Sequence, residues 1–464
     1  MKRIAIFGGS FNPPGLHHRR IVELVSAMPD FDEVIVLPCG IRPDKQTVGF
    51  VPAIHRAALV DMTFANIPKV TVDLTDLEKD TFTPTIDLEE RYTDIEEIWH
   101  VIGSDLLVGG GDGKSVIQCN WKNGSKLWQT AHFLVCERNG VTLREIDMPS
   151  NGRIIETDIG DIARSSTDIR GRIFDAEPFE DLVMPNVAKY IKRYGLYRGG
   201  FISNTSSWTP PKKLQLAYNF DTHNINAERA VEKLAGLYTT SDIDPDLIVS
   251  LGGDGKLLKA IRANWRRRVP FVGLNFGHHG FLLNPPDTNL NQPLSIFHLP
   301  LLYVKVVDLR GIVHRGIAVN DVWLERACPS TAWLSVSANG KEMITKLESD
   351  GILVATPQGS CAYARSMGAP PMPLDSNIIT LVGNNVAYPL GWRFAMLPSD
   401  TKIEVATLEP SRRPVRAVID GDTVIENAVS LTVRQSNIAA IELAFDPRVN
   451  ISDKIVAAQF PARS

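Results

Sequence analysis

Two glycine-rich segments of this chain have the residue types and the setting needed to hold phosphate groups. The first, GGSFNPP at residues 8–14, follows a short apolar run and is followed by His17 and His18. The second, GGDG at residues 252–255, follows another apolar run. A strand that turns through glycines into a helix presents backbone N–H groups and a helix dipole to a bound phosphate. Two different segments of this kind indicate two nucleotide reactions in one polypeptide.

Composition is compatible with a nucleotide enzyme that binds no nucleic acid. The 464 residues predict about two to four domains, and the formal net charge of −4 lacks the basic excess of nucleic-acid-binding proteins. Five scattered cysteines without CxxC spacing argue against a disulfide framework or a zinc site. No apolar run approaches the length of a membrane span. We therefore expect a cytoplasmic protein with small-molecule substrates, no nucleic-acid partner and no membrane contact.

Strand-like and helix-like patterns alternate in the first part of the chain. Apolar runs predict parallel strands at residues 4–7, 33–37, 98–102 and 132–136, and apolar spacing predicts helices at 19–28, 53–64 and 186–194. This alternation is typical of a doubly wound, Rossmann-like α/β sheet, whose ligands bind at the carboxyl ends of the strands.

A polar stretch with glycines and prolines, residues 199–211, is the predicted linker between a domain at 1–198 and a domain at 212–464. The second domain begins as α/β, with strands predicted at 214–218 and 247–251 and a helix at 227–237. Short strands separated by turn signals then predict an all-β portion. The expected parts of this domain are an α/β part at 212–300 and a β-rich part at 301–450.

Four motifs of the first domain resemble those of the nicotinamide/nicotinate mononucleotide adenylyltransferases. GGSFNPPGLHH at residues 8–18 resembles the family pattern GG[S/T]F[D/N]P followed by HxGH. GSD at 103–105 resembles its GxD segment, and RSSTDIR at 164–170 resembles its SSTxIR segment. Trp121 lies where the family has a ring-stacking tryptophan. Because all four occur in family order, the resemblance is specific.

This resemblance implies adenylyl transfer from ATP to a pyridine mononucleotide. Such a reaction depends on positioning two polyanions and on stabilising charge, and it needs no covalent intermediate. The family pattern assigns catalysis at the α- and β-phosphates to His18, ribose binding to Asp105 and stacking on the pyridine ring to Trp121. The other implied ATP- and phosphate-binding residues are Gly8, Gly9, Ser10, Phe11, His17, Lys45, Ser165, Ser166, Thr167 and Arg170.

One residue of the first loop departs from the family pattern. Gly15 stands where the family has its first histidine, and His17 stands where the family has glycine. Two alternatives follow. Either the loop has shifted so that His17 does the work of the first histidine, or one phosphate contact is missing.

The second domain resembles the NAD kinases. GGDG alone also occurs in diacylglycerol-kinase-like enzymes, but VGLNFGHHGFL at residues 272–282 resembles the NAD kinase pattern GxNxGxxGFL. TPQGSCAY at 356–363 resembles the family's TPTGSTAY, and Asn320-Asp321, Asp350-Gly351 and Asp420-Gly421 match further segments. These segments span roughly residues 212–450, and they are not expected to occur together in a lipid kinase.

The NAD kinase resemblance implies ATP-dependent phosphorylation of the adenosine ribose 2′-hydroxyl of NAD. Asp254 is the implied catalytic residue, as base or orienting group for that hydroxyl, beside Mg²⁺ held by ATP phosphates and water rather than by a dedicated protein site. Asn320 and Asp321 would contact the ribose and adenine region, and Asp350 the nicotinamide-side ribose. The other implied NAD- and ATP-binding residues are Gly252, Gly253, Gly255, Lys256, Asn275, Gly277, Phe281, Thr356, Ser360, Ala362, Tyr363 and Asp420.

Three residues of the second domain replace family threonines. Lys256 either adds a phosphate contact or is a solvated charge on the following helix, and the sequence leaves both open. Gln358 and Cys361 change the hydrogen bonding of the TPQGSCAY segment, and no histidine is placed beside Cys361 to make it a nucleophile.

Together the two resemblances imply a bifunctional enzyme of NAD and NADP biosynthesis that forms homo-oligomers. The first product would be NAD or its deamido form, depending on the mononucleotide, and the second would be NADP. The alternative is an NAD kinase whose N-terminal domain is a catalytically weak or regulatory nucleotide-binding domain, because of Gly15.

Overall fold

The computed structural model describes residues 2–41, 51–92, 95–137, 140–157, 165–200, 202–277 and 280–460. The chain divides into two compact units, Met1–Ile202 and Ser203–Ser464. This division falls inside the predicted linker at 199–211, and strand Thr205–Trp208 of that range pairs within the second unit. Within the described ranges, no helix is long and apolar enough to cross a membrane.

The first unit is built on a parallel sheet that, over the described residues, has six strands in the order β3-β2-β1-β4-β5-β6. This is the strand order of doubly wound dinucleotide-binding folds, and it confirms the predicted Rossmann-like class. The strands are β1 (Arg3–Gly9), β2 (Glu33–Pro38), β3 (Val70–Val72), β4 (Glu97–Gly103), β5 (His132–Cys136) and β6 (Gly152–Ile155). The helices are α1 (Leu16–Ala27), α2 (Ala53–Phe64), α3 (Thr75–Lys79), α4 (Thr85–Arg91), α5 (Val116–Asn120), α6 (Gly124–Thr130), α7 (Ser166–Phe174) and α8 (Pro185–Tyr194).

The order of strands decides where a ligand can bind. β1 and β4 are neighbours in the sheet. The chain continues from β1 to β2 on one side and from β4 to β5 on the other, so the carboxyl ends of β1 and β4 flank the crevice in which such sheets bind ligands. The predicted start of the first helix, residue 19, was wrong. The helix begins at Leu16 with Gly15 as its N-cap, so His17 and His18 lie in its first turn.

The second unit contains two sheets over its described residues. In the first sheet β8, β10 and β11 run parallel, and β12 and β23 pair antiparallel along most of their length. Its strands are β7 (Thr205–Trp208), β8 (Gln215–Phe220), β9 (Thr239–Thr240), β10 (Leu247–Gly252), β11 (Phe271–Asn275), β12 (Leu294–Asp308), β13 (Val313–Ala318), β15 (Ala332–Ala338), β16 (Lys341–Ser349), β20 (Ile403–Thr407) and β23 (Ala428–Phe445).

The second sheet is antiparallel, in the order β19-β18-β17-β14-β21-β22. Its strands are β14 (Asp321–Arg326), β17 (Gly351–Ala355), β18 (Ile378–Asn384), β19 (Phe394–Pro398), β21 (Val415–Ile419) and β22 (Thr423–Ile425). The helices of this unit are α9 (Ile225–Leu237), α10 (Asp254–Asn264), α11 (Tyr363–Ser366) and α12 (Ile451–Gln459). Alternate apolar side chains of both sheets, such as Val304, Leu334, Ile352 and Leu381, form one core, which confirms the predicted β-rich portion.

Candidate nucleotide sites

The first glycine-rich loop leaves the carboxyl end of β1 and is anchored by Phe11. A Cβ on Gly8 would meet nothing within 4 Å, so the backbone there is open to a ligand. Phe11 has a φ of 44°, in the left-handed region that residues other than glycine rarely adopt. Its ring is buried and packs edge-on against Phe64 and against His18, with centroids 5.6 and 5.2 Å away. The buried ring of Phe11 therefore holds both the loop and the ring of His18 in position.

The SST segment at residues 165–167 is hydrogen-bonded to this loop, although it lies some 150 residues further along the chain. Ser166 Oγ donates to the Pro13 carbonyl at 2.8 Å, and Arg170 Nη1 donates to the Asn12 carbonyl at 2.7 Å. Ser165 caps helix α7 by accepting from the Asp168 N–H at 3.1 Å, and Thr167 Oγ1 accepts from Arg170 Nη2 at 3.2 Å. The structure thus brings the two predicted phosphate-binding segments together at one helix N-terminus.

Two residues that the sequence reasoning missed hold the same loop. Arg56, buried on α2, donates through Nη1 to the carbonyls of Ser10 (3.0 Å) and Cys39 (2.8 Å), which joins the loop to the end of β2. Tyr197 donates its hydroxyl to Asn12 Oδ1 at 3.0 Å. An arginine within the apolar pattern of residues 53–64 was a signal that could have indicated Arg56, because a buried guanidinium requires acceptors. No comparable sequence signal marks Tyr197.

The ring of His17 fills the space that a side chain at position 15 would need. Its Nδ1 would lie 2.7 Å from a Cβ built on Gly15, and its centroid lies 3.8 Å from that of His18. The backbone at Gly15 is extended (φ −103°, ψ 171°), so this position requires glycine for space rather than for conformation. Gly15 N–H donates to His18 Nδ1 at 3.0 Å, which leaves the proton of a neutral His18 ring on Nε2. This geometry favours the alternative in which His17 replaces the family's first histidine.

The two predicted mononucleotide-binding residues, Asp105 and Trp121, both follow β4 in the chain. Asp105 belongs to a short 3₁₀ turn, Ser104–Leu106, directly after that strand. Trp121 ends α5 and packs, partly buried, on the apolar cluster that includes Leu107 and Ile117. Lys45 lies outside the described residues, so its predicted phosphate contact stays a prediction.

In the second unit, the loops that follow β10 and β11 lie side by side. Gly252 has a φ of 155°, and a Cβ on Gly253 or Gly255 would meet nothing within 4 Å. Phe276 N–H donates to the Gly252 carbonyl at 3.0 Å, and a Cβ on Gly277 would lie 3.5 Å from Gly253 Cα. Asn275 Oδ1 accepts from the Gly277 N–H at 3.0 Å. The glycine backbone at the start of α10 is therefore open to a phosphate, and the loop that follows β11 holds it in place.

Asp254 connects these loops through its carboxylate. One oxygen accepts from the Phe281 N–H at 2.9 Å and the other from the Leu282 N–H at 3.1 Å. Burial raises the pKa of Asp254, while the two N–H groups and the charge of Lys454 act in the opposite direction. A carboxylate offers about four lone-pair sites, so two remain for a substrate hydroxyl.

Asp420 organises the segment that contains Asn320 and Asp321. Its carboxylate accepts the backbone N–H groups of Val319 (2.8 Å), Asn320 (2.8 Å) and Asp321 (3.1 Å). Among the described residues, the buried Oδ1 of Asn320 has no hydrogen-bond partner. An unpaired buried acceptor is costly, and a ligand N–H or O–H donor would satisfy it. The positions of Asn320 and Asp420 thus suit a nucleotide contact.

The TPQGSCAY segment is a turn, buried at Thr356 and at residues 358–360, that lies against Asn320. Thr356 Oγ1 donates to the Val319 carbonyl at 2.8 Å, and Gln358 Nε2 donates to the same oxygen at 2.9 Å. Ser360 Oγ donates to the Pro357 carbonyl and accepts the Met372 N–H. A Cβ on Gly359 would lie 2.2 Å from the Asn320 carbonyl, an approach that only glycine permits. The side chains of Thr356, Gln358 and Ser360 therefore fix this turn through hydrogen bonds to main-chain atoms.

Three carboxylates lie near Tyr363, and two of them, Asp321 and Asp350, were predicted site residues. Burial raises the pKa of Tyr363, and the negative charges of Glu325, Asp321 and Asp350 raise it further, so these carboxylates lie close to it. Asp350 is ion-paired with Arg326 at 2.6 Å and accepts from Asn385 Nδ2 at 2.7 Å. The Tyr363 ring packs edge-on against Trp323, and Ala362 is the N-cap of its short helix.

Cys361 and Lys256 both lie near the GGDG segment. Burial raises the pKa of the Cys361 thiol, and the negative charge of Asp254 raises it further. The stem of Lys256 packs over Gly252, with its Cβ 3.1 Å from where a Cβ on Gly252 would lie. Within the described part of the chain Lys256 has no ion pair, so a phosphate contact by this side chain stays a prediction. Nor do the described residues include a group of three or more His, Cys, Asp or Glu that could hold a metal ion.

Asp321 makes the stability of the protein depend on pH. Burial, and then the charge of Asp420, raises the pKa of Asp321 to about 7. Folding therefore favours the protonated acid, and its contribution to the free energy of unfolding falls as the pH rises from about 4 through 7. We expect Asp321→Asn to be more stable than the wild type at pH 8, by roughly 1–4 kcal/mol, with a smaller difference at pH 5.

Thermal unfolding of wild type and Asp321→Asn between pH 5 and 8 measures this difference. The exposed Asp375→Asn variant is the control, and its difference from the wild type is expected to stay constant across the range. A difference between Asp321→Asn and wild type that is independent of pH would show that Asp321 is ionised throughout.

The fold and the two glycine-rich loops define a nucleotide-binding α/β protein. Residues 6–172 match the family model described as cytidylyltransferase-like, residues 187–297 match the ATP-NAD kinase N-terminal domain, and residues 319–439 match the ATP-NAD kinase C-terminal domain. NAD kinase from Rickettsia bellii (strain OSU 85-389) is 35% identical over 254 residues, which are 53% of this chain and 98% of that protein. The chain belongs to the NAD kinase family, and an N-terminal domain of the nucleotidyltransferase superfamily precedes its kinase domains.

A second relative agrees with this assignment. NAD kinase from Rickettsia felis (strain ATCC VR-1525 / URRWXCal2) is 34% identical over 253 residues, 53% of this chain and 98% of that protein. Among solved structures, yeast NADH kinase complexed with NADH is 17% identical and covers 56% of this chain and 97% of its own, with a TM-score of 0.47.

Proposed function

We propose that this chain is a bifunctional enzyme that makes NAD from a pyridine mononucleotide and then phosphorylates NAD to NADP. The observation that carries the proposal is that, in each unit, motif segments far apart in the sequence contact one another. In the first unit Ser166 and Arg170 hold the loop at Asn12 and Pro13. In the second, Asp254 binds the segment at Phe281 and Asp420 binds the segment at Asn320.

In the first unit, a 5′-phosphate oxygen of the mononucleotide attacks the α-phosphorus of ATP. The bond between the α-phosphorus and the oxygen that bridges it to the β-phosphate breaks, and pyrophosphate leaves with the electron pair of that bond. The Nε2–H of His18 and the guanidinium of Arg170 would stabilise the negative charge that develops on the phosphates. Asp105 and Trp121, at the end of β4 and of α5, would hold the ribose and the pyridine ring.

In the second unit, the 2′-hydroxyl oxygen of the NAD adenosine attacks the γ-phosphorus of MgATP, and ADP leaves. The free lone pairs of the Asp254 carboxylate accept the hydroxyl proton, while the N–H groups around Gly253 and Gly255 bind phosphate. Mg²⁺ enters with ATP as part of the substrate. Asn320, Asp321 and Asp350 would contact the dinucleotide.

Product analysis of the full-length protein with MgATP and one added nucleotide tests both activities. NADP formed from nicotinamide mononucleotide alone would establish both steps. The deamido dinucleotide formed from nicotinate mononucleotide would assign the substrate preference of the first unit. NADP formed only from added NAD would support the alternative, an NAD kinase with a regulatory N-terminal unit.

Exchanging the residues at positions 15 and 17 tests the role assigned to His17. We expect His17→Gly to lower the rate of pyrophosphate release by about 10²-fold, because one phosphate donor is lost. Gly15→His alone is expected to be impaired too, because its Cβ would overlap the His17 ring. The double variant removes that overlap and restores a histidine, so it is expected to recover most of the activity. Equal rates for wild type and His17→Gly would show that the contact is missing in this protein.

Homo-oligomer formation and a cytoplasmic location are also part of this proposal. The first rests on the resemblance to NAD kinases and the second on the scattered cysteines. Light scattering of the purified protein tests the first, and cell fractionation tests the second.

A further inference from the structure

The C-terminal helix α12 reaches the kinase site, although it lies beyond residue 439, where the matched family model ends. It carries Lys454, whose Nζ donates to the carbonyl oxygens of Gly280 at 3.1 Å and Phe281 at 3.2 Å. A third hydrogen bond from Nζ goes to the carbonyl oxygen of Leu283. An ammonium has three N–H donors, so these carbonyls use all of them.

The segment from Gly280 to Leu283 is therefore held from two sides by opposite charges. Its carbonyl oxygens face the Lys454 ammonium, and its N–H groups at Phe281 and Leu282 face the Asp254 carboxylate. Burial lowers the pKa of Lys454, and the charge of Asp254 raises it. Among the described residues, the thiol of Cys361 is a further titratable group on which the charge of Asp254 acts. Lys454 and Asp254 thus hold the same main-chain segment, residues 280–283, from its two sides.

We propose that Lys454 is a positioning residue for phosphoryl transfer, which fixes the Asp254 carboxylate and the segment at residues 280–283 in the geometry that the 2′-hydroxyl requires. This inference rests on the proposed kinase activity. Charge-assisted hydrogen bonds are roughly twice as strong as neutral ones, so a neutral side chain at position 454 cannot replace the ammonium. A catalytic carboxylate that moves by about 1 Å loses much of its effect.

Variants of the full-length protein separate positioning from a general role in stability. For Lys454→Met we expect kcat for NADP formation to fall by about tenfold or more, with the KM values for NAD and ATP within about twofold of wild type. Lys454→Arg keeps the charge and is expected to recover most of kcat. Asp453→Asn, an exposed neighbour on the same helix, is the matched control and is expected to behave as wild type. A kcat of Lys454→Met within twofold of wild type would overturn the proposal.

A double-variant comparison tests whether Lys454 acts through Asp254. In the Asp254→Asn background, Lys454→Met is expected to cause no further loss of kcat, because the group that it positions is already gone. A further tenfold loss in that background would contradict a positioning role. Hydrogen exchange supplies a readout that does not depend on activity. The amides of Phe281 and Leu282 are expected to exchange faster in Lys454→Met than in wild type, and unchanged exchange would overturn the inference.

These outcomes are distinguishable from a failure of the proposed function. A wild-type protein without NADP formation would refute the kinase activity, while the exchange measurement would still report on the contact between Lys454 and the segment. A wild-type protein with full kinase activity, together with an active Lys454→Met variant, would refute only the inference.

Discussion

NADP formation by the Asp254→Asn variant is expected to be slower than that of the wild type by about 10²–10⁴-fold in kcat. The substitution removes the charge that would accept the 2′-hydroxyl proton. The amide keeps one oxygen that can accept an N–H of Phe281 or Leu282, so the loop retains part of its anchor. Steady-state assays with NAD and MgATP measure the effect. Pyrophosphate release by the first unit is expected to be unchanged, because it uses a different site.

The exposed Lys259→Gln variant on the same helix is the control for Asp254→Asn. It is expected to match the wild type in kcat and in melting temperature. If Asp254→Asn retained kcat within a few-fold of wild type, Asp254 would be an anchor for residues 281–282 only. Another group would then accept the 2′-hydroxyl proton.

Pyrophosphate release by the His18→Ala variant is expected to fall by about 10²–10³-fold. The substitution removes the Nε2–H donor that we propose contacts the phosphates. It also removes the acceptor of the Gly15 N–H at the start of α1, which adds a loss of stability of about 1 kcal/mol. His18→Asn can keep an acceptor for that N–H while it lacks the imidazole. This second variant therefore separates catalysis from helix capping.

His223→Ala, which changes an almost fully exposed histidine, is the control for the loss of an imidazole as such. It is expected to leave pyrophosphate release and NADP formation at the wild-type rate. Full activity of both His18 variants would mean that Arg170 and the glycine backbone suffice for the phosphates. NADP formation from added NAD is expected to be normal in every variant at position 18.

Much of the fold was predictable because it depends on local patterns. The apolar runs at residues 4–7, 33–37, 98–102 and 132–136 are β1, β2, β4 and β5, since buried parallel strands are continuously apolar. The β-rich character beyond residue 301 was equally local. The start of α1 was not, because the polar residues Gly15, His17 and His18 carry no apolar periodicity. Hydrogen bonds between Gly15 and the first turn set that boundary, among them the bond from the Gly15 N–H to His18 Nδ1.

The two glycine-rich segments were identified in the sequence because motif spacing along one strand, turn and helix is a local property. Which distant residues hold those segments was decided by the tertiary structure. Arg56, Tyr197 and Lys454 are single polar residues that no motif marks, and each meets its loop only after the chain has folded. The sequence left open whether Gly15 costs the first loop a contact. The folded chain shows that the His17 ring occupies the space beside Gly15, because packing, unlike spacing, determines which side chain fills a gap.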